Sequence, residues 1–255
     1  MTLERIQQVR TRYPEAGIDT LLVLVDENRR YLSGFTGEDT QFDESAGALL
    51  ISASELILAT DSRYELQAGR EAPLFRVVQY REGLDRELPA LLKALNTSVL
   101  GFESVRMSVR QHEKISRALD ESGIAVTLKP VTDLVEDLRI AKDESEIRTL
   151  RNALAIAESA FENVCRRIRP GMREKDLAWM MEQSMREVGA DSLSFPVIVA
   201  SGPNAALPHA IPGERKIRAG EPILFDWGAR LQGYCSDISR TVMIGEPDDT
   251  FRRVF

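Results

Sequence analysis

Two aspartates near the end of this chain, Asp226 and Asp237, have the type and setting to bind cations. They lie in Ile223-Leu-Phe-Asp226-Trp-Gly-Ala-Arg-Leu-Gln-Gly-Tyr-Cys-Ser-Asp237-Ile-Ser-Arg240-Thr241. An apolar run reaches Asp226, a turn containing Gly233 follows, and a second strand-like run begins near Asp237. Read as a hairpin, this places position 226 opposite position 237, with Cβ atoms about 4.5–5.5 Å apart. Two carboxylates so close repel, and one stays protonated unless a cation neutralises both. Paired metals in hydrolases sit about 3.5–4 Å apart and are held through carboxylate oxygens. A carboxylate-bridged metal centre therefore accounts for the pair. The plainer alternative is a turn former and a strand-edge charge.

Upstream lies Phe195-Pro-Val-Ile-Val-Ala-Ser-Gly-Pro-Asn-Ala-Ala-Leu-Pro-His209-Ala. It resembles the motif with which the creatinase, prolidase and aminopeptidase P family presents its active-site histidine. The order His209, Asp226, Asp237 is similar to that family too, as is Arg139-Ile-Ala-Lys-Asp-Glu-Ser-Glu-Ile-Arg148, its helical lead-in to the catalytic domain. Tyr31-Leu-Ser-Gly-Phe-Thr-Gly37 and Ala59-Thr-Asp-Ser-Arg63-Tyr64 look like its non-catalytic N-terminal domain. The likeness covers nearly the whole chain.

By that resemblance, Asp226 chelates one metal, Asp237 bridges two, and His209 shuttles a proton or stabilises an intermediate, while Phe195 lines the substrate pocket. The implied activity is hydrolysis of the Xaa-Pro bond at the N-terminus of peptides or in dipeptides, by a water activated between two divalent ions. Mn²⁺ suits carboxylate-rich ligands best, with Co²⁺ or Zn²⁺ as alternatives. The family further implies a homodimer and the pita-bread fold. Its remaining ligands, one His and two Glu, come from the second half of the catalytic domain, and the sequence reaches Phe255 before any of them. His112, the other histidine, lies in the N-terminal half. The expectation is an incomplete catalytic domain, inactive as it stands; a reading frame continuing into those three ligands would mark a fragment of an enzyme. A non-catalytic pita-bread binding module and a creatinase-like amidinohydrolase are the rival readings.

Other residues leave their roles open. Arg240, three residues past Asp237, suits either a cation that orients a metal-ligand carboxylate or a surface salt bridge. Cys235 could share the face of Asp237 as a thiol ligand, but a small buried filler is the expectation. His112, beside Glu113 in a helical pattern, reads as a solvated side chain. Arg63-Tyr64 reads as packing within the N-terminal domain.

Composition sets the outer bounds. The 255 residues are 43% hydrophobic and 29% charged, with net charge −7, ordinary for a soluble globular chain. No basic patch emerges, which argues against nucleic acid as a partner. No apolar run approaches a membrane span, and the first residues lack the apolar core of a secretory signal. Two cysteines make no disulfide framework. The cytoplasm is the expected compartment.

The elements that must position these side chains follow from periodicity. Residues 20–25 form a continuous apolar run, the mark of a buried strand. Residues 46–51 and 55–59 read as a hairpin, and 75–80, 98–102 and 124–128 as further strands. Helices are expected over 3–13, over 84–95, and from the capping box at Ser108-x-x-Gln111 to a stop at Gly123. A second capping box, Asp143-x-x-Glu146, opens a helix through Arg167 that Pro170-Gly171 ends, and another runs from about Glu174 to Gly189. Strands at 197–200, 222–227 and 234–244 follow. The sequence thus predicts an α/β creatinase-like domain over 1–130, a linker over 131–142, and part of an α+β pita-bread catalytic domain over 143–255.

Overall fold

The computed structural model describes residues 2–39, 41, 44–247 and 249–254, and the chain divides into two compact units, Met1–Ala141 and Lys142–Phe255. In chain order the first contains α1 (Thr2–Thr11), α2 (Tyr13–Ala16), β1 (Thr20–Val23), α3 (Asp26–Ser33), β2 (Ala48–Ser52), β3 (Leu56–Thr60) and α4 (Glu65–Glu71). It continues with β4 (Arg76–Gln79), α5 (Leu84–Ala94), β5 (Val99–Glu103), α6 (Val109–Ser122), β6 (Thr127–Val131) and α7 (Glu136–Ile140). Its six strands form one mixed sheet in the order β4-β3-β2-β1-β5-β6. The β1-β2 pair and the hairpin β2-β3 are antiparallel, and the β3-β4, β1-β5 and β5-β6 pairs are parallel.

Helices cover both faces, which explains why β1 reads as uninterrupted apolar sequence rather than alternating. Leu21 and Val23 pack into one core with Ile6, Val9 and Leu32, whereas Leu22 and Leu24 pack into the other with Leu88, Leu92 and Leu119. The capping boxes at Ser108 and Asp143 both form. Strand β6 begins three residues later than expected, because Ile124 and Gly123 still bond back to α6 and close it. Helix α3 was not expected. No side chain caps its start; instead the buried Glu103 carboxylate accepts from the N–H groups of Leu24 and Val25, at 2.6 and 2.7 Å. The division falls between Ala141 and Lys142, at the far end of the stretch read as a linker. Val131, Leu134 and Val135 belong to the core of the first unit.

The second unit contains α8 (Glu144–Cys165), α9 (Glu174–Val188), β7 (Ser192–Leu193), β8 (Ile198–Ser201), β9 (Pro222–Trp227), β10 (Ala229–Leu231), β11 (Tyr234–Cys235), β12 (Ile238–Met243) and α10 (Asp249–Val254). Two three-stranded sheets have the orders β12-β9-β8 and β11-β10-β7. Alternate residues of β9, namely Ile223, Phe225 and Trp227, pack with Ala157 and Val164 of α8 and Met181 of α9. Trp227 donates its indole N–H to the carbonyl of Ala157 (2.9 Å) and stacks on Phe161. Glu146, which caps α8, also accepts from the Tyr234 hydroxyl at 2.8 Å, tying the start of the helix to β11.

Candidate metal and peptidase site

The hairpin register fixes where the two aspartates stand. Gln232 and Gly233 both have positive φ, 49° and 80°, the requirement of a two-residue type I′ turn. Leu231 therefore pairs with Tyr234, Trp227 with Ile238, and Asp226 with Ser239. In the same count Asp237 stands level with Gly228, two residues from the position expected for it. The two residues share a face as diagonal neighbours, their Cα atoms about 7–8 Å apart at that offset.

Local contacts hold this register. At Gly228 an added Cβ would stand 1.9 Å from the carbonyl oxygen of Ser236, so no side chain fits between the strands there. Ser236 is buried, and its hydroxyl accepts from the N–H of Ala229 at 3.0 Å and lies 3.2 Å from the carbonyl of Ala153 on α8. Asp226 is half-buried and accepts from the Ser239 hydroxyl at 2.8 Å; Asp237 is exposed. Because alternate residues face opposite sides, Asp226 projects away from the helices that cover Phe225 and Trp227. Arg240 pairs with Phe225, on the alternate side from Asp226, and its guanidinium donates to the carbonyl of Ser239 at 2.8 Å.

The remaining candidates are spread over neighbouring segments. His209 is exposed in the loop after the 3₁₀ turn Gly202–Ala206, between Pro208 and the buried Ala210. Phe195 is half-buried and lines an open cleft of about 770 Å³ with Lys175 and Trp179 of α9, Leu193 and Pro212. Cys235 is exposed rather than a buried filler, since its position alternates with Tyr234 and falls on the uncovered side of the hairpin. Cys165 is half-buried in α8, where burial pushes its thiol pKa up. His112 is not freely solvated; its ring packs 5.5 Å from that of Phe102.

Hard oxygen donors on one solvent-facing surface are the chemistry a divalent cation needs, and Asp226 and Asp237 supply two. Among the described residues, no three His, Cys, Asp or Glu side chains gather at a point that could hold a metal ion. The donor set fits part of such a centre.

One residue of the site escapes sequence reading altogether. Glu174, at the first turn of α9, is 1% exposed. Its Oε1 accepts from the N–H and hydroxyl of Ser201 (2.8 and 2.9 Å), and its carboxylate also meets the Asn204 amide (3.1 Å) and the N–H of Gly213 (3.3 Å). An acid in the first turn of a helix normally stays in solvent beside the helix dipole. Nothing in the local pattern distinguishes one that turns inward.

Comparison with known proteins gives the arrangement a family. Residues 148–255 match the model of Metallopeptidase family M24, and residues 5–141 match the Creatinase/Prolidase N-terminal domain. An uncharacterized peptidase of Bacillus subtilis, YqhT, is 34% identical over 98% of this chain and 68% of its own length. The solved structure of an Xaa-Pro dipeptidase from Bacillus anthracis is 37% identical, with a TM-score of 0.91 over 100% of this chain and 68% of that one. An X-Pro aminopeptidase from Thermotoga maritima is 35% identical, with a TM-score of 0.82 over 93% of this chain and 66% of that one. With both domain models matched in order and this degree of identity, the chain belongs to the M24 metallopeptidases that carry a creatinase/prolidase N-terminal domain.

Proposed function

We propose that this chain contributes the Asp226–Asp237 carboxylates and the His209 imidazole to a peptidase that hydrolyses Xaa-Pro bonds at the N-terminus of peptides or in dipeptides. The observation that carries the reading is the shared face of Asp226 and Asp237 on a hairpin whose register the type I′ turn and Gly228 pin. The names of the B. anthracis and T. maritima structures supply the substrate class. Asp226 and Asp237 would hold the divalent ions, Mn²⁺ first among them, and those ions when bound supply the Lewis acidity that activates water and polarises the scissile carbonyl. The Ser239 hydroxyl orients Asp226 by donating to one of its oxygens. His209, exposed on its loop, is the group free to move a proton at the scissile amide. Phe195 offers an apolar surface to a side chain of the peptide. A second copy of the chain and a cytoplasmic setting complete the proposal; among the described residues no helix is long and apolar enough to cross a membrane.

The test is hydrolysis of Xaa-Pro dipeptides and longer peptides, with added Mn²⁺, by the full product of the reading frame and by its Asp237→Ala variant. Removing a carboxylate from a metal shell is expected to lower kcat/KM at least about 100-fold. Equal activity in the two proteins would overturn the assignment, and turnover of creatine in place of peptides would redirect it to amidino compounds.

A further inference from the structure

The loop that carries His209 is closed at its neck by a single buried carboxylate. From Glu174 one oxygen takes both polar groups of Ser201, where β8 ends, and the carboxylate then spans to the Asn204 amide in the 3₁₀ turn and to the N–H of Gly213. Asn204 and Gly213 therefore flank His209 and are tied to one group. Backbone bonds from α9 draw in the same way: the N–H of Glu174 donates to the carbonyl of Arg215 (3.0 Å), and that of Lys175 to the carbonyl of Gly213 (3.2 Å). Arg215 adds a lock, donating to the carbonyl of Ser201 (3.0 Å) and to Glu221 (2.6 Å). At Gly202, where φ is +50°, an added Cβ would stand 2.4 Å from that guanidinium, so a side chain at the entry to the loop would strain the backbone and displace the Arg215 lock.

We infer that Glu174 is a positioning residue for His209: its carboxylate fixes the two ends of the loop so that the exposed imidazole is presented from a closed frame rather than a freely moving segment. The inference rests on reading His209 as the imidazole of the site, and deepens it. Physically, a loop whose ends are held together loses far less entropy when its central residue is ordered. A carboxylate suits the neck because it only accepts, and every group it meets here is a donor. An amide of the same shape would turn an N–H₂ toward at least one donor.

The experiment is NMR of the chain and of its Glu174→Gln variant. The sequence has two histidines, so the imidazole spectrum holds two side chains, and His112 in the first unit serves as the internal reference. In the variant, the His209 ring resonance should move toward its value in an unstructured peptide, and hydrogen-exchange protection of the Ser201 and Gly213 amides should fall about tenfold. The His112 resonance and the protection of the Trp227 indole N–H, held on the Ala157 carbonyl, should stay, reporting an intact fold. Adding Asn204→Asp to Glu174→Gln moves the charge to the other partner and lets the new amide donate; protection and the His209 resonance should return part of the way. A role limited to filling space does not respond to that charge exchange. Should Glu174→Gln fail to fold, Asn204→Ala removes one tie while Ser201 and Gly213 still satisfy the carboxylate, and a smaller shift of His209 is expected. Unchanged His209 and Gly213 signals in a folded variant would overturn the inference. Loss of Xaa-Pro hydrolysis on His209→Ala in the full product of the reading frame tests the underlying functional reading separately, so the two can fail independently.

Discussion

Glu103 shows how much one buried charge can organise. It is 4% exposed at the end of β5 and receives the N–H groups of Leu24 and Val25 and the amide of Asn28. Asn28 in turn meets Glu136 and accepts from Arg139, so a short polar chain joins β5, α3 and α7. Burial raises the Glu103 pKa from 4.5 to about 7 against the pull of those donors, and the charge of Glu136 adds to the rise. The native state therefore takes up a proton that the unfolded chain has already lost over that interval. Stability from this group is full below about pH 4.5 and declines as pH climbs to about 7, by at most about 3 kcal/mol. Urea unfolding between pH 4.5 and 8 should show that decline, and Glu103→Gln should flatten it while lowering stability throughout, since its amide faces the Asn28 amide. A slope that survives the substitution would place the titrating group elsewhere. Nothing in the sequence marks Glu103, which ends an apolar strand as many solvated acids do.

At the scale of elements, what could be read from sequence depended on whether the deciding contact was local. The capping boxes at Ser108 and Asp143, and the stops at Gly123 and Gly189, are written within four residues and stand where expected. Helix α3 starts on a carboxylate 78 and 79 positions from the two N–H groups it accepts, which local pattern cannot supply. The short β7 and β10 exist because they pair with each other across the unit. The hairpin was recognised, but its register was set two residues off, because a turn with both central residues at positive φ consumes only Gln232 and Gly233. Gly228 tests that register. Gly228→Ala drives a methyl group into the Ser236 carbonyl and should cost about 3 kcal/mol. Gly220→Ala, at φ +81° with nothing within 4 Å, should cost only about 1–2 kcal/mol from its left-handed backbone. Urea unfolding followed by the fluorescence of Trp179 and Trp227, both in the second unit, measures both; equal losses would mean the hairpin can slide or open at Gly228.

At the scale of the whole molecule, the two units have separate hydrophobic cores. Both clusters of the first lie within residues 6–138, and the cluster of the second within 156–244. We expect residues 1–141, expressed alone, to fold cooperatively with the six-stranded sheet intact. The fragment keeps the last residue of β6 and the buried Val131, Leu134 and Val135, which a cut at residue 130 would remove. Comparing fragments 1–130 and 1–141 by urea unfolding should give a well-formed transition only for the longer. Equal stability would return residues 131–141 to the status of a linker.

Metal binding by these 255 residues is the remaining whole-molecule property, and the donor count decides it. Asp226 and Asp237 can give a cation at most two carboxylates, and the described residues bring no third His, Cys, Asp or Glu to them. Catalytic zinc sites hold three protein ligands and structural ones four, and affinity further depends on ligands fixed by their own neighbours. Here Asp226 has that support from Ser239, whereas Asp237 is exposed and level with a glycine. Calorimetric titration of Mn²⁺ into this polypeptide should therefore give a Kd weaker than about 0.1 mM, no second site, and no hydrolysis of Xaa-Pro peptides in a parallel assay. Asp237→Ala should abolish even that weak heat. Micromolar binding of two ions accompanied by turnover would show that ligands other than these two aspartates complete the centre within the 255 residues.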